Sequence, residues 1–305
     1  MSERSVFESV LASAVLRRGV ALMGICNVTP DSFSDGGAHF GHEAACAQVD
    51  RLIADGADLI DIGGESTRPG SKPVSADEQL RRVLEVVRYA SRKALVSIDT
   101  THPDVADACL RAGACVVNDV SCLRDPRLAD VAAAHGAPLV LMHSRGSQED
   151  MPGFSKAPEG AYGDVVGDVI AEWTKAADEA KRRGVRSLVM DPGLGFSKSA
   201  KHSMTLLANT AKLAESVGVP VLVGASRKSF LQSVDPDAGP NERIGASVAA
   251  AVFAASHGAK LVRVHDVRAT RQAIDLSRMM DTRSAGPSHA SRTQDDGEGE
   301  EMPDA

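Results

Sequence analysis

Several features are scarce in this sequence of 305 residues, and each scarcity excludes a class of protein. The five cysteines form no CxxC pair and no even set, so neither a zinc ribbon nor a disulfide framework is expected. They are interpreted as small core residues in a reducing compartment. No apolar run comes near the roughly eighteen residues of a membrane span, and no basic start precedes an apolar segment. A cytoplasmic enzyme is therefore expected.

Aromatic residues and basic stripes are scarce as well. Aromatics make up 3% of the chain, so Ala, Val and Leu must form the core, which suits a parallel sheet wrapped by helices. The net charge is −7, and residues 282–305 supply −4 of it through six acids and two arginines, which leaves −3 for the rest. Without a basic stripe, nucleic-acid binding is not expected. We predict that the acidic tail, which has little to bury, is disordered.

Short apolar runs alternate with helical patterns along the whole chain. Eight runs end near Asn27, Gly63, Asp99, Asn118, Met142, Asp191, Gly224 and Val264. Eight βα units predict an α/β fold, a single (β/α)8 TIM barrel over residues 20–281. A doubly wound open sheet is the alternative, but no GxGxxG turn follows the first strand. In the extension formed by residues 1–19, apolar spacing predicts a helix that plugs the bottom of the barrel.

Polar residues cluster where the predicted strands end, and in a barrel these ends share one mouth. Asp99, Asn118 and Asp191 would be costly to bury unpaired, so they suit a flat heterocycle with an amino-amide edge. A second group of strand-end residues carries N–H donors, guanidinium groups among them, that match the oxygens of a phosphate or pyrophosphate. Its members are Asn27, Arg68, Arg263 and His265.

Each of these residues also has an ordinary structural interpretation. Asp99 could cap the next helix, and Asp191 could open a turn. His265 and Asp266 could form a surface pair. Two further strand-end residues, His143 and Lys228, could be a core histidine with satisfied hydrogen bonds and a solvated lysine at a helix start. Only their joint placement at strand ends favours a site.

The strand-end motifs resemble those of the dihydropteroate synthase family, over roughly residues 20–280. Eight segments match in order: NVTPDSFSDGG at 27–37, DIGGESTRPG at 61–70, SIDT at 97–100, NDVS at 118–121, LMH at 141–143, DPGLGF at 191–196, GASRKSF at 224–230 and RVHDV at 263–267. Several motifs of this length in the right order are far more specific than any single one.

The resemblance implies an enzyme that joins 7,8-dihydropterin-6-ylmethyl diphosphate to 4-aminobenzoate and releases pyrophosphate. It implies Mg²⁺, reached by Asn27, and a homodimer formed through the last helices. By the same resemblance, the pterin is held by Asp99, Asn118, Met142, Asp191 and Lys228, and the pyrophosphate by Asn27, Arg68, Arg263 and His265. Of these, Asp99, Asp191, Lys228, Arg263, His265 and Asn27 are expected to take part in catalysis.

The resemblance also implies two mobile loops, after the first and second strands, that close over the substrates. The expected 4-aminobenzoate pocket, where sulfonamides would compete, consists of Phe33, Thr67, Pro69, Phe196 and Ser229. Asp35 is expected to order the first loop or a metal-bound water.

Two other functions remain as alternatives. A corrinoid-dependent pterin methyltransferase would share the barrel and the pterin-holding residues, but it would not need the segments STRPG and SRKS or an arginine–histidine anion site. A catalytically silent paralogue would bind pterin only, yet every strand-end group is present here.

Overall fold

The computed structural model describes residues 3–29, 37–66, 73–146 and 158–284. Within these residues, eight parallel strands alternate with ten α-helices. The strands are β1 Ala21–Asn27, β2 Leu59–Gly63, β3 Leu95–Asp99, β4 Val116–Asp119, β5 Leu139–Met142, β6 Leu188–Asp191, β7 Leu222–Val223 and β8 Leu261–Val264. The helices are α1 Glu3–Arg18, α2 Gly37–Asp55, α3 Ala76–Ala90, α4 Pro103–Arg111, α5 Arg127–His135, α6 Val165–Arg182, α7 Ala200–Ala208, α8 Thr210–Val217, α9 Ile244–Ser256 and α10 Val267–Ser284.

The strands close into a barrel. Their order around the sheet is β6-β5-β4-β3-β2-β1-β8-β7, and every named pair is parallel. A parallel bridge between Met190 and Val221 joins β6 to the residue before β7, and the Met190 amide donates to the Pro220 carbonyl at 2.9 Å. This bridge closes the ring, so the predicted TIM barrel is confirmed and the open sheet is excluded.

Side chains alternate between the inside of the barrel and the layer under the helices, as the twofold period of a strand requires. In β2, Ile60 and Ile62 join the large apolar cluster between strands and helices, whereas Leu59 joins the cluster at the barrel bottom. Both faces are buried, which explains why the strands read as continuous apolar runs.

Helix α1 closes the bottom of the barrel. Phe7 is 2% exposed and Ala14 is fully buried, and both belong to the cluster formed by the first inward residues of all eight strands. Val10 and Leu11 pack against the same cluster. Since α1 carries these apolar residues along one face, it shields the lowest layer from water. The predicted N-terminal plug is confirmed.

The predicted strand ends agree with the structure, with two differences of one residue. β4 continues to Asp119 and β7 ends at Val223. Helix α10 runs to Ser284, slightly past the predicted boundary at residue 281, and the rest of the acidic tail lies outside the described residues. Among the residues described, no helix combines the length and hydropathy that crossing a bilayer requires.

We expect Phe7→Ala to lower the free energy of unfolding by about 3 kcal/mol, because it leaves a cavity under the barrel. Leu16→Ala, in the same helix, should change it by less than about 0.5 kcal/mol, since Leu16 is 81% exposed. Urea denaturation followed by circular dichroism measures both. Equal losses in the two variants would contradict the plug.

Candidate active site

The barrel mouth gathers the polar residues because each lies at an inward position near the carboxyl end of its strand. In β2 and β3, Asp61, Ser97 and Asp99 alternate with the outward residues, and paired strands bring them level: Asp61 pairs with Ser97, and Gly63 with Asp99. Asp99 in turn pairs with Asn118 of β4. Parallel pairing thus places acceptors from three strands side by side in the barrel.

Arg263 of β8 reaches across the barrel to two of these acceptors. Its Nε donates to Asp61 Oδ2 at 2.6 Å, and its Nη2 donates to Asp99 Oδ2 at 2.8 Å. Asn118 Nδ2 also donates to Asp61 Oδ2, at 3.1 Å. Asp61 is fully buried and the Arg263 side chain is 16% exposed. Because one guanidinium carries a single positive charge, it neutralises only one of the two buried carboxylates.

The second oxygen of each carboxylate lacks a donor within the described residues. Asp61 Oδ1 and Asp99 Oδ1 are both buried without a hydrogen bond. Burial raises the pKa of Asp99 to about 7; Arg263 opposes this rise and the nearby Asp61 carboxylate adds to it. Unpaired buried acceptors are costly. The pocket is therefore suited to a ligand that presents several N–H donors.

A second acidic–basic pair stands on the opposite wall. Asp191, at the end of β6, accepts from the Gly193 amide at 2.7 Å, and Lys228 donates to the Leu194 carbonyl at 2.6 Å. A Cβ built on Gly224 would lie 3.8 Å from both Asp191 Oδ2 and Lys228 Nζ, so the glycine leaves room for both groups. Burial raises the pKa of Asp191 and lowers that of Lys228 to about 8, while each charge opposes the shift of the other.

An apolar wall lies beside these charges. Met142 and Phe196 form a small buried cluster with Val120 packed against it, and Lys228 Nζ lies 4.6 Å from the centre of the Phe196 ring. Ser229 follows Lys228, and its Oγ is buried without a hydrogen bond among the described residues. Flat rings can pack against such a wall while a polar group meets the hydroxyl.

The groups expected to bind an anion lie at the same mouth, on β1 and β8. Asn27 is the last residue of β1. The His265 amide donates to Ser226 Oγ at 3.2 Å, and the His265 ring nitrogen Nδ1 lies 3.1 Å from the same hydroxyl. Arg227, with a φ of +60°, forms a bidentate pair with Asp266 at 3.0 and 2.7 Å. These bonds join the loop after β7 to the loop after β8.

The structure decides between the alternatives for single residues. Asp99 does not cap the next helix, because it pairs with Arg263 and the cap position belongs to His102. His265 bonds to Ser226 and Asp266 to Arg227, so each is tied to the loop after β7. Lys228 is part-buried beside Asp191 rather than solvated.

Two of the ordinary interpretations are confirmed. Asp191 opens a turn, through its bond to the Gly193 amide, and also faces the pocket. His143 is a fully buried histidine whose two ring nitrogens both have partners.

Five predicted site residues lie outside the described residues: Phe33, Asp35, Thr67, Arg68 and Pro69. Their roles remain predictions. Among the residues that are described, no group of three or more His, Cys, Asp or Glu side chains could hold a metal ion by itself.

Sequence reasoning missed Asp61, the carboxylate that both Arg263 and Asn118 contact. A signal for it was present. Asp61 stands in the middle of an apolar strand, two positions before Gly63, and residues two apart in a strand share a face. A charged residue at that position must point into the barrel and meet a partner there.

Comparison with known proteins agrees with this geometry. The family model described as "Pterin binding enzyme" matches residues 23–265. The dihydropteroate synthase of Synechocystis is 42% identical over 257 residues, which is 82% of this chain and 86% of that protein. The chain belongs to the dihydropteroate synthase family. A relative from Haloferax volcanii, named as a probable bifunctional folylpolyglutamate synthase/dihydropteroate synthase, is 43% identical over 85% of this chain, but the match covers only 30% of that longer protein.

Solved dihydropteroate synthase structures share the fold. The Xanthomonas albilineans enzyme with 4-aminobenzoic acid superimposes with a TM-score of 0.79 at 43% identity, covering 86% of this chain and 93% of that one. The same enzyme in complex with 7,8-dihydropteroate gives a TM-score of 0.76 at 41% identity, covering 86% and 94%.

We expect the stability of the wild-type protein to fall, relative to the Asp99→Asn variant, as the pH rises from about 4 to 7. Because the folded-state pKa of Asp99 lies above its usual value of 3.8, at about 7, folding favours the protonated acid, and this contribution is lost as the pH rises through that range. The asparagine variant cannot titrate. Urea unfolding of both proteins at several pH values measures the difference, and a difference that stays constant with pH would contradict the assignment.

Proposed function

We propose that the chain condenses 7,8-dihydropterin-6-ylmethyl diphosphate with 4-aminobenzoate to give 7,8-dihydropteroate and pyrophosphate. One observation carries the proposal: in a member of this family, two buried carboxylate oxygens, on Asp61 and Asp99, have no donor among the described residues and stand beside an arginine at the barrel mouth. The amino-amide edge of a pterin supplies the missing N–H donors. The complexes of the Xanthomonas albilineans relative with 4-aminobenzoic acid and dihydropteroate support the same substrates.

Pterin recognition uses the two acidic walls. Asp99 and Asn118 meet the ring from one side and Asp191 from the other, while Lys228 neutralises Asp191 and offers donors. Met142 covers the flat face of the ring. Since most of these groups are attached to the strand ends rather than to long loops, the pocket is largely preformed, which reduces the entropy cost of binding.

The leaving group is a pyrophosphate, so catalysis depends on stabilising the charge that forms on it. The C–O bond between the pterin methylene and the diphosphate breaks, and its electron pair leaves with the pyrophosphate. Arg263, His265 and Asn27 provide donors for that charge. The positive charge left on the pterin methylene is stabilised by the buried carboxylates, chiefly Asp99 and Asp191.

The second substrate completes the reaction. The amine of 4-aminobenzoate attacks the methylene with its lone pair and loses its proton afterwards, so no strong general base is required. Phe196 packs against its ring and Ser229 offers a hydroxyl. Sulfonamides share the aniline ring, and we expect them to compete at this position.

Magnesium is part of the proposal. The described residues do not form a dedicated metal cage, and Mg²⁺ commonly binds through one or two side chains together with substrate phosphates and water. Asn27, at the barrel mouth, fits such a shared site and would hold the ion together with the diphosphate. When bound, the ion neutralises charge on the departing pyrophosphate.

We also propose a homodimer formed through α9 and α10. These helices pack together, and Phe253, Leu276, Met279 and Met280 are exposed, the last three by more than half of their surface. Exposed apolar groups that cluster on adjacent helices commonly mark protein interfaces.

The activity is tested by incubating the purified protein with the pterin diphosphate, 4-aminobenzoate and Mg²⁺ while measuring pyrophosphate. We expect release that requires 4-aminobenzoate, stops on chelation of the metal, and resumes when Mg²⁺ is restored. Pyrophosphate release that does not depend on 4-aminobenzoate would refute the synthase activity. A complete lack of pyrophosphate release would refute it as well.

Two variants test the division of the site. Asp191→Asn should abolish detectable pterin binding, because it leaves Lys228 without its countercharge and removes an acceptor. Arg263→Ala should weaken binding of the pterin diphosphate by about tenfold or more relative to binding of the unphosphorylated pterin, since a charged hydrogen bond contributes about 1.5–3 kcal/mol. Calorimetry with both ligands measures the two dissociation constants and hence their ratio. An equal loss for both ligands in the arginine variant would contradict its role.

The dimer is tested by light scattering coupled to size exclusion. We expect twice the chain mass for the wild type and a single-chain mass for Leu276→Asp, because a carboxylate cannot be buried unpaired in an apolar interface. Lys212→Asp, on α8, serves as a surface control. A wild-type protein that elutes as a monomer would exclude this assembly.

A further inference from the structure

A buried lysine lies behind the pocket and has no role in the mechanism above. Lys198, in the loop between β6 and α7, is fully buried. Its Nζ donates to the Phe196 carbonyl at 2.9 Å, to His143 Nδ1 at 3.0 Å and to the His143 carbonyl at 3.3 Å. An ammonium has three N–H donors, so all of them have acceptors, and none of these acceptors is a carboxylate.

The histidine is held in one tautomer by this contact. Since Lys198 donates to Nδ1, the proton of the neutral ring lies on Nε2, which donates to Glu172 Oε2 at 3.0 Å. Burial, together with the Lys198 charge, lowers the pKa of His143 to about 3, so the ring is neutral at physiological pH. Glu172 is itself paired with Arg145 at the surface of the cluster. A line of hydrogen bonds thus connects the buried lysine to a half-exposed ion pair.

The lysine joins two loops that carry substrate-facing residues. One acceptor carbonyl belongs to His143, directly after Met142, and the other belongs to Phe196 itself. A Cβ on Gly193, whose φ is +67°, would overlap the His143 carbonyl oxygen, so the two loops are in close contact. Ser197 adds a second tie, because its Oγ accepts from the Arg145 amide at 3.1 Å and donates to the Arg145 carbonyl.

We propose that Lys198 is a positioning residue. Its buried ammonium fixes the loop after β5 against the loop after β6, and thereby sets the distance between Met142, which faces the pterin, and Phe196, which faces the aminobenzoate. The reaction needs the amine of one ring close to the methylene of the other, and small displacements in such a geometry are costly in rate. The inference rests on the proposed synthase activity.

The lysine charge also acts on the pterin-binding carboxylate. Burial lowers the pKa of Lys198 to about 7, and the nearby Asp191 carboxylate opposes this shift. Conversely, Lys198 is one of the positive charges that hold down the pKa of Asp191, after Lys228 and Arg263. The titratable and charged groups around the lysine are Asp191, Lys228, Cys122, Arg145, His143 and Tyr162, whose ring centre lies 6.0 Å from Nζ, and Glu172 lies beyond His143. Its removal should therefore make Asp191 harder to ionise.

The test compares Lys198→Met with Lys201→Met. Methionine has similar length without charge, and Lys201 carries the same side chain at an exposed position of α7. In steady-state pyrophosphate release, we expect Lys198→Met to lower kcat by about tenfold with a smaller change in KM for either substrate, because misplaced rings cost rate rather than ground-state binding. The acid limb of kcat/KM for the pterin diphosphate should shift to higher pH. Lys201→Met should match the wild type in every respect.

The possible results separate the two proposals. Without 4-aminobenzoate-dependent release in the wild type, the synthase assignment itself fails. If the wild type is active but Lys198→Met keeps the wild-type kcat and acid limb while unfolding cooperatively, Lys198 does not position the substrates. A variant that only loses stability, without a change in kcat or in the acid limb, also overturns the inference.

A second variant covers the case in which Lys198→Met does not fold. Ser197→Ala removes the other tie between the loops at a half-buried position, without uncovering a charge. We expect it to lower kcat by about threefold with a smaller change in KM, because it loosens the loop that carries Phe196. An unchanged kcat would then overturn the proposal.

Discussion

The contact between Arg263 and the two carboxylates of Asp61 and Asp99 organises the interior of this barrel. Three charged groups lie inside a ring of strands where water is largely excluded, and removing the arginine would leave two buried carboxylates without a countercharge. Because the arginine neutralises one negative charge out of two, the pocket keeps an excess of acceptors. That excess selects a ligand rich in N–H donors.

The same arginine joins the two halves of the proposed chemistry. Arg263 contacts the carboxylates that would recognise the pterin, and it stands on the strand that leads to His265, where the pyrophosphate is expected. The bidentate pair of Arg227 and Asp266 locks the neighbouring loops, so these groups keep their spacing on rigid strand ends.

Behind the pocket, a second polar network shapes its apolar wall. Lys198, His143 and Glu172 form hydrogen bonds from the buried interior to the surface, and their loops carry Met142 and Phe196. Buried polar groups of this kind are costly when only part of them is satisfied. A complete set of partners makes the arrangement rigid, which suits a site where two flat rings must meet at a defined distance.

The sequence alone determined the fold, the strand ends and the list of polar residues at the mouth, because alternating βα units and chemical type are local properties of the chain. It could not determine which charged side chains contact one another. Taken alone, Asp99 was better explained as a helix cap, and Lys228 could be a solvated lysine at a helix start. Asp61 and Lys198 did not stand out from their buried segments. Their pairing depends on barrel closure, which brings β8 beside β1 and Arg263 within reach of residues about 160 to 200 positions away. Only the tertiary structure decides such contacts, since the partner of a buried charge is set by register and shear around the ring rather than by neighbours in sequence.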